Sequence, residues 1–141
     1  LQAFRTARLW EKMAKIILFN QILRKVFRES PDGYAYDSIA LRLALDIVTT
    51  EDLFAELAFP FQAAICLCLC HSEQAKTQHV LSQYIFIMNP SHPDSILTQA
   101  LRKIASNHRE RIDLFGRFPE RNAILGRTST PNEKFFLQQL G

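Results

Sequence analysis

The chain has 141 residues, of which 48% are apolar and 22% charged, as in one ordinary globular domain large enough to bury a core. Four glycines against eleven phenylalanines favour helices packed through large side chains over a turn-rich β fold. No run of about 18 apolar residues occurs, so the sequence predicts no membrane span.

The net charge of +3 is distributed unevenly. Residues 1–28 carry seven basic side chains and one acid, residues 29–101 carry two and nine, and residues 102–141 carry eight and four. The basic ends can pair with the acidic middle, or they can form a basic surface for an anionic partner. Nucleic acid is the least favoured of such partners, although nothing in the sequence excludes it.

Three cysteines, Cys66, Cys68 and Cys70, are too close together to cross-link distant segments, and their odd number leaves one unpaired. They indicate an intracellular, reducing compartment, either the cytoplasm or an organelle matrix. On a helix Cys68 would point away from the other two, and neither paired knuckles nor a His-x-x-x-His spacing is present. We therefore predict buried thiols rather than a metal site, and we find no cofactor-binding motif.

Helical spacing of apolar residues predicts one long helix over residues 2–28. Its middle, KIILFNQILRKVF, is apolar nearly all round, which indicates a central helix. We also expect part of this surface to dock a protein partner or a missing N-terminal segment. Because the chain starts without Met and directly in helical periodicity, the 1–141 unit is expected to be a single helical domain that lacks N-terminal turns.

Further along the chain, residues 29–33 predict a turn and residues 34–48 a second helix. Thr50 is placed to cap a short helix that Pro60 ends. Residues 61–88 are predicted to form one long or slightly bent helix, because the segments on either side of the alternating cysteines and leucines are helix-like. Two prolines make residues 89–94 a loop.

Asp94 or Ser95 is expected to begin a helix that runs to about Phe115 and ends at Gly116. The stretch from Thr130 to Glu133 has the pattern of a capping box and opens the last helix. The sequence therefore predicts an all-α fold of six or seven helices, arranged as an antiparallel bundle or array.

The polar stretch from His108 to Glu133 contains Phe-Gly-Arg-Phe-Pro-x-Arg-Asn, then Leu-Gly-Arg, then Ser-Thr-x-x-Glu. This pattern resembles the C-terminal signature of the mainly bacterial domain-of-unknown-function family 924, and Tyr34 and Asp37 also match family positions. The resemblance implies a tetratricopeptide-like helical architecture and further N-terminal turns. It implies no activity.

Two other segments resemble the same family. Gln21 and Arg24 match its Leu-Leu-Asp-Gln-Phe-x-Arg-Asn motif, but Asn20 replaces the acid and Lys25 the last asparagine. His71-Ser72-Glu73, with Gln78 further on, matches a His-Ser-Glu motif and its following glutamine. Loss of the acid disfavours retained catalysis, so no residue is assigned a catalytic role.

Ten polar residues make up the candidate pocket or structural cluster: Gln21, Arg24, His71, Glu73, Gln78, His108, Arg117, Arg121, Asn122 and Arg127. His71 and Glu73 can form a general base with its orienting partner, or can tie helices together. The arginines can hold a carboxylate or phosphate, or can satisfy free backbone carbonyls.

Two functions follow from these alternatives. The first is a helical binding or scaffold module that acts through protein–protein contacts, alone or as a subunit of a larger assembly. The second is an enzyme or small-ligand binder that acts on an anionic molecule in a pocket lined by histidine, glutamate and arginine.

Overall fold

The computed structural model describes residues 2–50, 53–88 and 95–141. Within these ranges the α-helices are α1 Gln2–Ile17, α2 Leu23–Val26, α3 Asp37–Leu45, α4 Phe59–Cys70, α5 Ala75–Tyr84, α6 Ile96–Phe115 and α7 Pro131–Leu140. Short 3-10 turns lie at Pro31–Tyr34, Phe54–Glu56 and Pro119–Arg121, and these ranges contain no strand. The predicted all-α class is confirmed.

The first predicted helix is one continuous helical segment with a π-helical turn, Leu18–Ile22, between α1 and α2. At this turn the N–H of Leu23 bonds to the carbonyl of Leu18, one residue further back than in an α-helix. Counted as one unit, α1 and α2 bring the described part of the chain to six helical units, in agreement with the predicted number.

The central helix is α4, which packs against α1, α3, α5 and α6. Ile65 and Leu69 on this helix have no exposed surface. The prediction that the first helix is central is wrong, because this helix packs against α3, α4 and the turn Pro31–Tyr34 and keeps an exposed face. Its outer face leaves Leu18, Ile22 and Val26 exposed by 42%, 46% and 64%.

The prediction of a single helix over residues 61–88 is also wrong, because α4 ends at Cys70 and α5 begins at Ala75. The buried amide of Gln78 donates to the carbonyls of Cys70 and Ser72, at 3.0 and 2.7 Å. The Ser72 hydroxyl accepts from the N–H of Gln74 at 3.2 Å. These bonds replace those of a continuing helix, and they hold a bend over residues 71–74 that contains His71 and Glu73.

Several predicted helix ends are confirmed. Ser95 accepts from the N–H of Thr98 at the start of α6, and Gly116 ends that helix with φ +69°. Thr130 and Glu133 form the capping box of α7. The predicted loop 89–94 and the first residues of the predicted short helix at Glu51 lie outside the described residues, and the tetratricopeptide-like arrangement stays a prediction.

No helix in the described ranges is long and apolar enough to cross a lipid bilayer.

Candidate functional site

A polar cleft of about 390 Å³ lies where α3, the 71–74 bend and the 3-10 turn Pro119–Arg121 meet. We call it the cleft. Its walls consist of Asn20, Tyr34, Asp37, Ser38, Leu41, Cys68, His71, Ser72, Glu73, Gln74, Arg121 and Leu125. Only the fold brings these segments together, since they come from four separate parts of the sequence.

Arg121 reaches the cleft from the 3-10 turn that Pro119 opens. Its guanidinium lies over the ring of Phe118 at 4.4 Å and the ring of Tyr34 at 5.3 Å. One nitrogen, Nη2, donates to the carbonyl of His71 at 2.9 Å. Burial, with the nearby charge of Arg24, lowers the pKa of Arg121 to about 10, so the side chain is still protonated at neutral pH.

His71 stands at the end of α4 with Nδ1 at 2.7 Å from the Oδ1 atom of Asn20. Asn20, which is 1% exposed, donates from its amide nitrogen to Asp37 at 3.3 Å. Arg24 donates to the other oxygen of Asp37. Burial first, and then the charges of Arg24 and Arg121, lower the pKa of His71 to about 2, so its imidazole is neutral.

Asp37 is held between two opposing effects. Burial raises the pKa of Asp37, while the positive charges of Arg24 and Arg121 act against that rise. The Arg24 side chain also lies 4.5 Å from the centre of the Tyr34 ring. Asp37 therefore sits at the inner wall of the cleft with one strong cationic partner already in place.

Four residues of the C-terminal signature form a closed polar network with Glu73 from the 71–74 bend. We call it the C-terminal network, and its members are Glu73, Arg117, Asn122, Arg127 and Glu133. Arg117 bonds both oxygens of Glu133, at 2.7 and 2.9 Å, and Arg127 bonds both oxygens of Glu73, at 2.7 and 2.9 Å. Asn122 donates to Glu133 at 3.2 Å and accepts from Arg127 at 2.9 Å. The side chains in this network mainly satisfy one another.

The backbone of the last turn is tied into the same network. Glu73 accepts from the N–H of Phe118 at 2.7 Å, and Arg127 donates to the carbonyl of Phe118 at 3.0 Å. Hydrogen bonds from Arg117 are the main cause that lowers the pKa of Glu133 to about 2. The network therefore fixes the 71–74 bend against the turn that carries Arg121.

The structure divides the ten candidate residues by position. His71, Glu73 and Arg121 line the cleft, and Arg24 stands behind Asp37. Gln78 and His108 instead face backbone, since Nδ1 of His108 lies 3.0 Å from the carbonyl of Cys70. The other four are Gln21, which donates to the carbonyl of Ala64 at 3.2 Å, and Arg117, Asn122 and Arg127 of the C-terminal network.

Nine of the twelve cleft residues are absent from the sequence-predicted set, among them Asn20, Tyr34 and Asp37. A signal for two of them existed, because Tyr34 and Asp37 match positions of the family that the sequence resembles. Asn20 stood out only as the replacement of an acid. The sequence alone does not show that α3 packs beside the bend, so the three could not be connected to His71.

All three cysteines are unpaired and buried in α4. Burial raises the pKa of each thiol to about 12, so the thiol form persists at neutral pH. In the described ranges no group of three or more histidine, cysteine, aspartate or glutamate side chains is arranged to hold a metal ion.

Comparisons with known proteins add a family and a fold. Residues 2–141 match the family described as "Bacterial protein of unknown function (DUF924)". A solved structure of a protein of unknown function, ATU0120 from Agrobacterium tumefaciens, is similar with a TM-score of 0.71 and 26% identity, over 91% of this chain and 67% of that chain. No curated protein matches the sequence.

Proposed function

Because the chain belongs to the DUF924 family of bacterial proteins of unknown function, whose description carries no activity, we propose a function from the cleft. We infer that the protein binds a small anionic molecule through Arg121. The observation that carries this proposal is the charge of Arg121, which has no carboxylate partner among the described residues.

The neighbouring arginines differ from Arg121 in this respect. The pairs are Arg24 with Asp37, Arg111 with Glu120, Arg117 with Glu133, and Arg127 with Glu73. Within the described part of the chain, Arg121 makes one hydrogen bond, to a backbone carbonyl, and lies against two aromatic rings. A half-buried guanidinium left in this state can still donate to the two oxygens of a carboxylate or phosphate.

The electrostatics of the cleft favour the same kind of ligand. Its two carboxylates, Asp37 and Glu73, are already paired with Arg24 and Arg127. The charge of Arg121 is therefore left in excess, and burial strengthens its attraction for an anion. The hydroxyls of Tyr34, Ser38 and Ser72 add polar groups to the walls.

The volume of about 390 Å³ is that of a small-molecule site, since such sites are typically about 300–1,000 Å³. It accommodates a compound with a few carbon atoms and one anionic group. A macromolecular partner would need a broader surface than this cleft offers.

Inorganic phosphate is a suitable first probe. Titration calorimetry at constant ionic strength should show binding to the wild-type protein and none to Arg121→Met, which keeps a long side chain between the two rings. Arg109→Met is the matched control, because Arg109 pairs with Asp113 on the exposed surface of α6. Equal binding to the wild type and Arg121→Met, or no binding of any small anion to the wild type, would contradict the proposal.

A second candidate function, protein–protein contact, is supported by the outer face of the first helices. Leu18, Ile22 and Val26 are spaced four residues apart, so they form one exposed apolar stripe. Beside it lies a groove of about 410 Å³ lined in part by Ile17, Ile22 and Leu67. An apolar surface of this kind is typical of a contact with another protein, and the stripe is compatible with a second copy of the chain.

A further inference from the structure

Among the described residues, the cleft lining includes one hydrogen-bond acceptor without a donor and one guanidinium with N–H groups left over after its single hydrogen bond. The donor is the guanidinium of Arg121, and the acceptor is Nε2 of His71. Both side chains line the same cleft, and they are adjacent because Arg121 bonds to the carbonyl of His71. A ligand that fills the cleft has to satisfy both groups.

The proton on His71 can be placed from its neighbours. An ionised Asp37 can only accept, so the amide nitrogen of Asn20 faces Asp37 and its oxygen faces His71. The oxygen of Asn20 also can only accept, and Nδ1 of His71 must therefore be the donor. In a neutral imidazole the proton on Nδ1 leaves a lone pair on Nε2.

Nε2 of His71 is available to a ligand. None of the described residues bonds to it, because the hydrogen bond of this ring is the one from Nδ1 to Asn20. His71 lines both the cleft and the groove beside the apolar stripe, and Nε2 is not among the fully buried polar atoms without a partner, so it borders one of these two spaces. The ring itself is only partly exposed.

The group that donates to Nε2 should be a neutral O–H. A ligand ammonium could also donate, but it would lie near the positive charges of Arg24 and Arg121, both of which act on His71. A hydroxyl carries no such cost. An acceptor oxygen at the same place would meet the lone pair of Nε2 and be repelled.

We propose that the ligand of the cleft is a small anion that carries an O–H group, with the anionic oxygens on Arg121 and the O–H donating to Nε2 of His71. This inference rests on the proposed function. Hydrogen phosphate has both features in one group, and a small 2-hydroxy carboxylate has them on neighbouring carbons. An oxyanion of the same size without a proton, such as sulfate, satisfies Arg121 but not His71.

Two matched pairs of probes test the inference: phosphate against sulfate, and lactate against propionate. Within each pair the size is nearly constant and the O–H is present or absent. At pH 7 and constant ionic strength, calorimetry should show the O–H ligand of at least one pair binding about tenfold more tightly, which is the expected value of one net hydrogen bond. The pair that shows the larger difference identifies phosphate or hydroxy acid as the source of the chemistry.

One variant assigns the preference to His71. His71→Phe should abolish the difference within each pair while Arg121 still binds the anion.

The outcomes separate this inference from the proposed function. If all four probes bind the wild type with no preference for O–H and lose affinity in Arg121→Met, the inference is wrong and the proposed function stands. If no probe binds, both are wrong. Nitrogen-15 spectra of the wild-type protein test the inference independently of any variant, because a proton on Nε2 at pH 7 would overturn it.

Discussion

Two polar regions meet at the 71–74 bend, and they differ in how completely their groups are paired. In the C-terminal network every arginine bonds a carboxylate through two oxygens, and Asn122 both donates and accepts. In the cleft, Arg121 has one hydrogen-bond partner among the described residues, a backbone carbonyl, and Nε2 of His71 has none there. Glu73 belongs to both regions, since it lines the cleft and pairs with Arg127.

The difference shows why a dense polar motif is a poor guide to a binding site. Most of the C-terminal signature is consumed by internal hydrogen bonds that hold the last turn in place, because buried polar groups need partners. The residue that remains available, Arg121, lies within the same motif and has the same chemistry as its neighbours. Pairing, which only the fold reveals, separates the two roles.

The largest expected effect comes from breaking the network itself. Arg127→Met removes the partner of Glu73 and one donor to Asn122, so the free energy of unfolding should fall by about 3 kcal/mol, since orphaned buried polar groups cost about 1–3 kcal/mol each. Arg121→Met removes one bond to a carbonyl and a charge that has no carboxylate partner in the described part of the chain. It should change the free energy by less than about 1 kcal/mol.

Urea denaturation of both variants measures this contrast. An equal loss in the two variants would show that Arg121 is as much a structural residue as Arg127, and the comparison between the regions would fail.

Acid provides a second way to separate the regions. His71 has a folded-state pKa of about 2 against 6.5 for the unfolded chain, so its contribution to stability is complete above pH 6.5 and is lost as the pH falls towards 2. Glu133 has a folded-state pKa of about 2 against 4.5, so its contribution is lost only below pH 4.5. Titration of His71 can lower the free energy of unfolding by at most about 1.4 kcal/mol per pH unit.

Between pH 6.5 and 4.5, the His71→Phe variant should therefore lose less stability than the wild type, and Glu133→Gln should follow the wild-type curve. His108 has the same sign as His71, because burial lowers its pKa, so His71→Phe should retain part of the slope. Thermal midpoints measured across this range test the assignment. A wild-type midpoint that does not change from pH 6.5 to 4.5 would contradict it.

The smallest effect on folding is expected away from both regions, on the outer apolar stripe. Val26 is 64% exposed, so Val26→Glu should change the free energy of unfolding by less than about 0.5 kcal/mol. If a second copy of the chain covers this stripe, sedimentation should show wild-type self-association that rises with concentration and is absent in the variant. A wild-type protein that is monomeric at all concentrations would exclude this form of protein contact.

Much of the fold follows from local chemistry that a sequence displays. The capping box at Thr130, the cap at Ser95 and the stop at Gly116 each depend on residues within one turn, and the structure has them as predicted. The break after Cys70 does not follow from local chemistry. It depends on Gln78, which bonds across the bend from the next helix and leaves the helical periodicity of the segment intact.

Less of the candidate site than of the fold could be predicted from the sequence. His71, Glu73 and Arg121 are in the predicted set and line the cleft, but Asp37 and Asn20 reach it only because α3 packs beside α4 and the π-helical turn packs against α3. Whether a given arginine has a partner also depends on contacts between residues far apart in the chain. Arg127 and Glu73, for example, are 54 positions apart.

Because α4 is buried on every side, the cysteines of this helix can report local unfolding of the protein. Cys68 lies on a different face of this helix from Cys66 and Cys70, yet all three are shielded and keep their protons at neutral pH. A thiol-modifying reagent can therefore react only when the middle of the molecule opens. The rate of alkylation under native conditions reports how often α4 separates from the helices around it, without any engineered label.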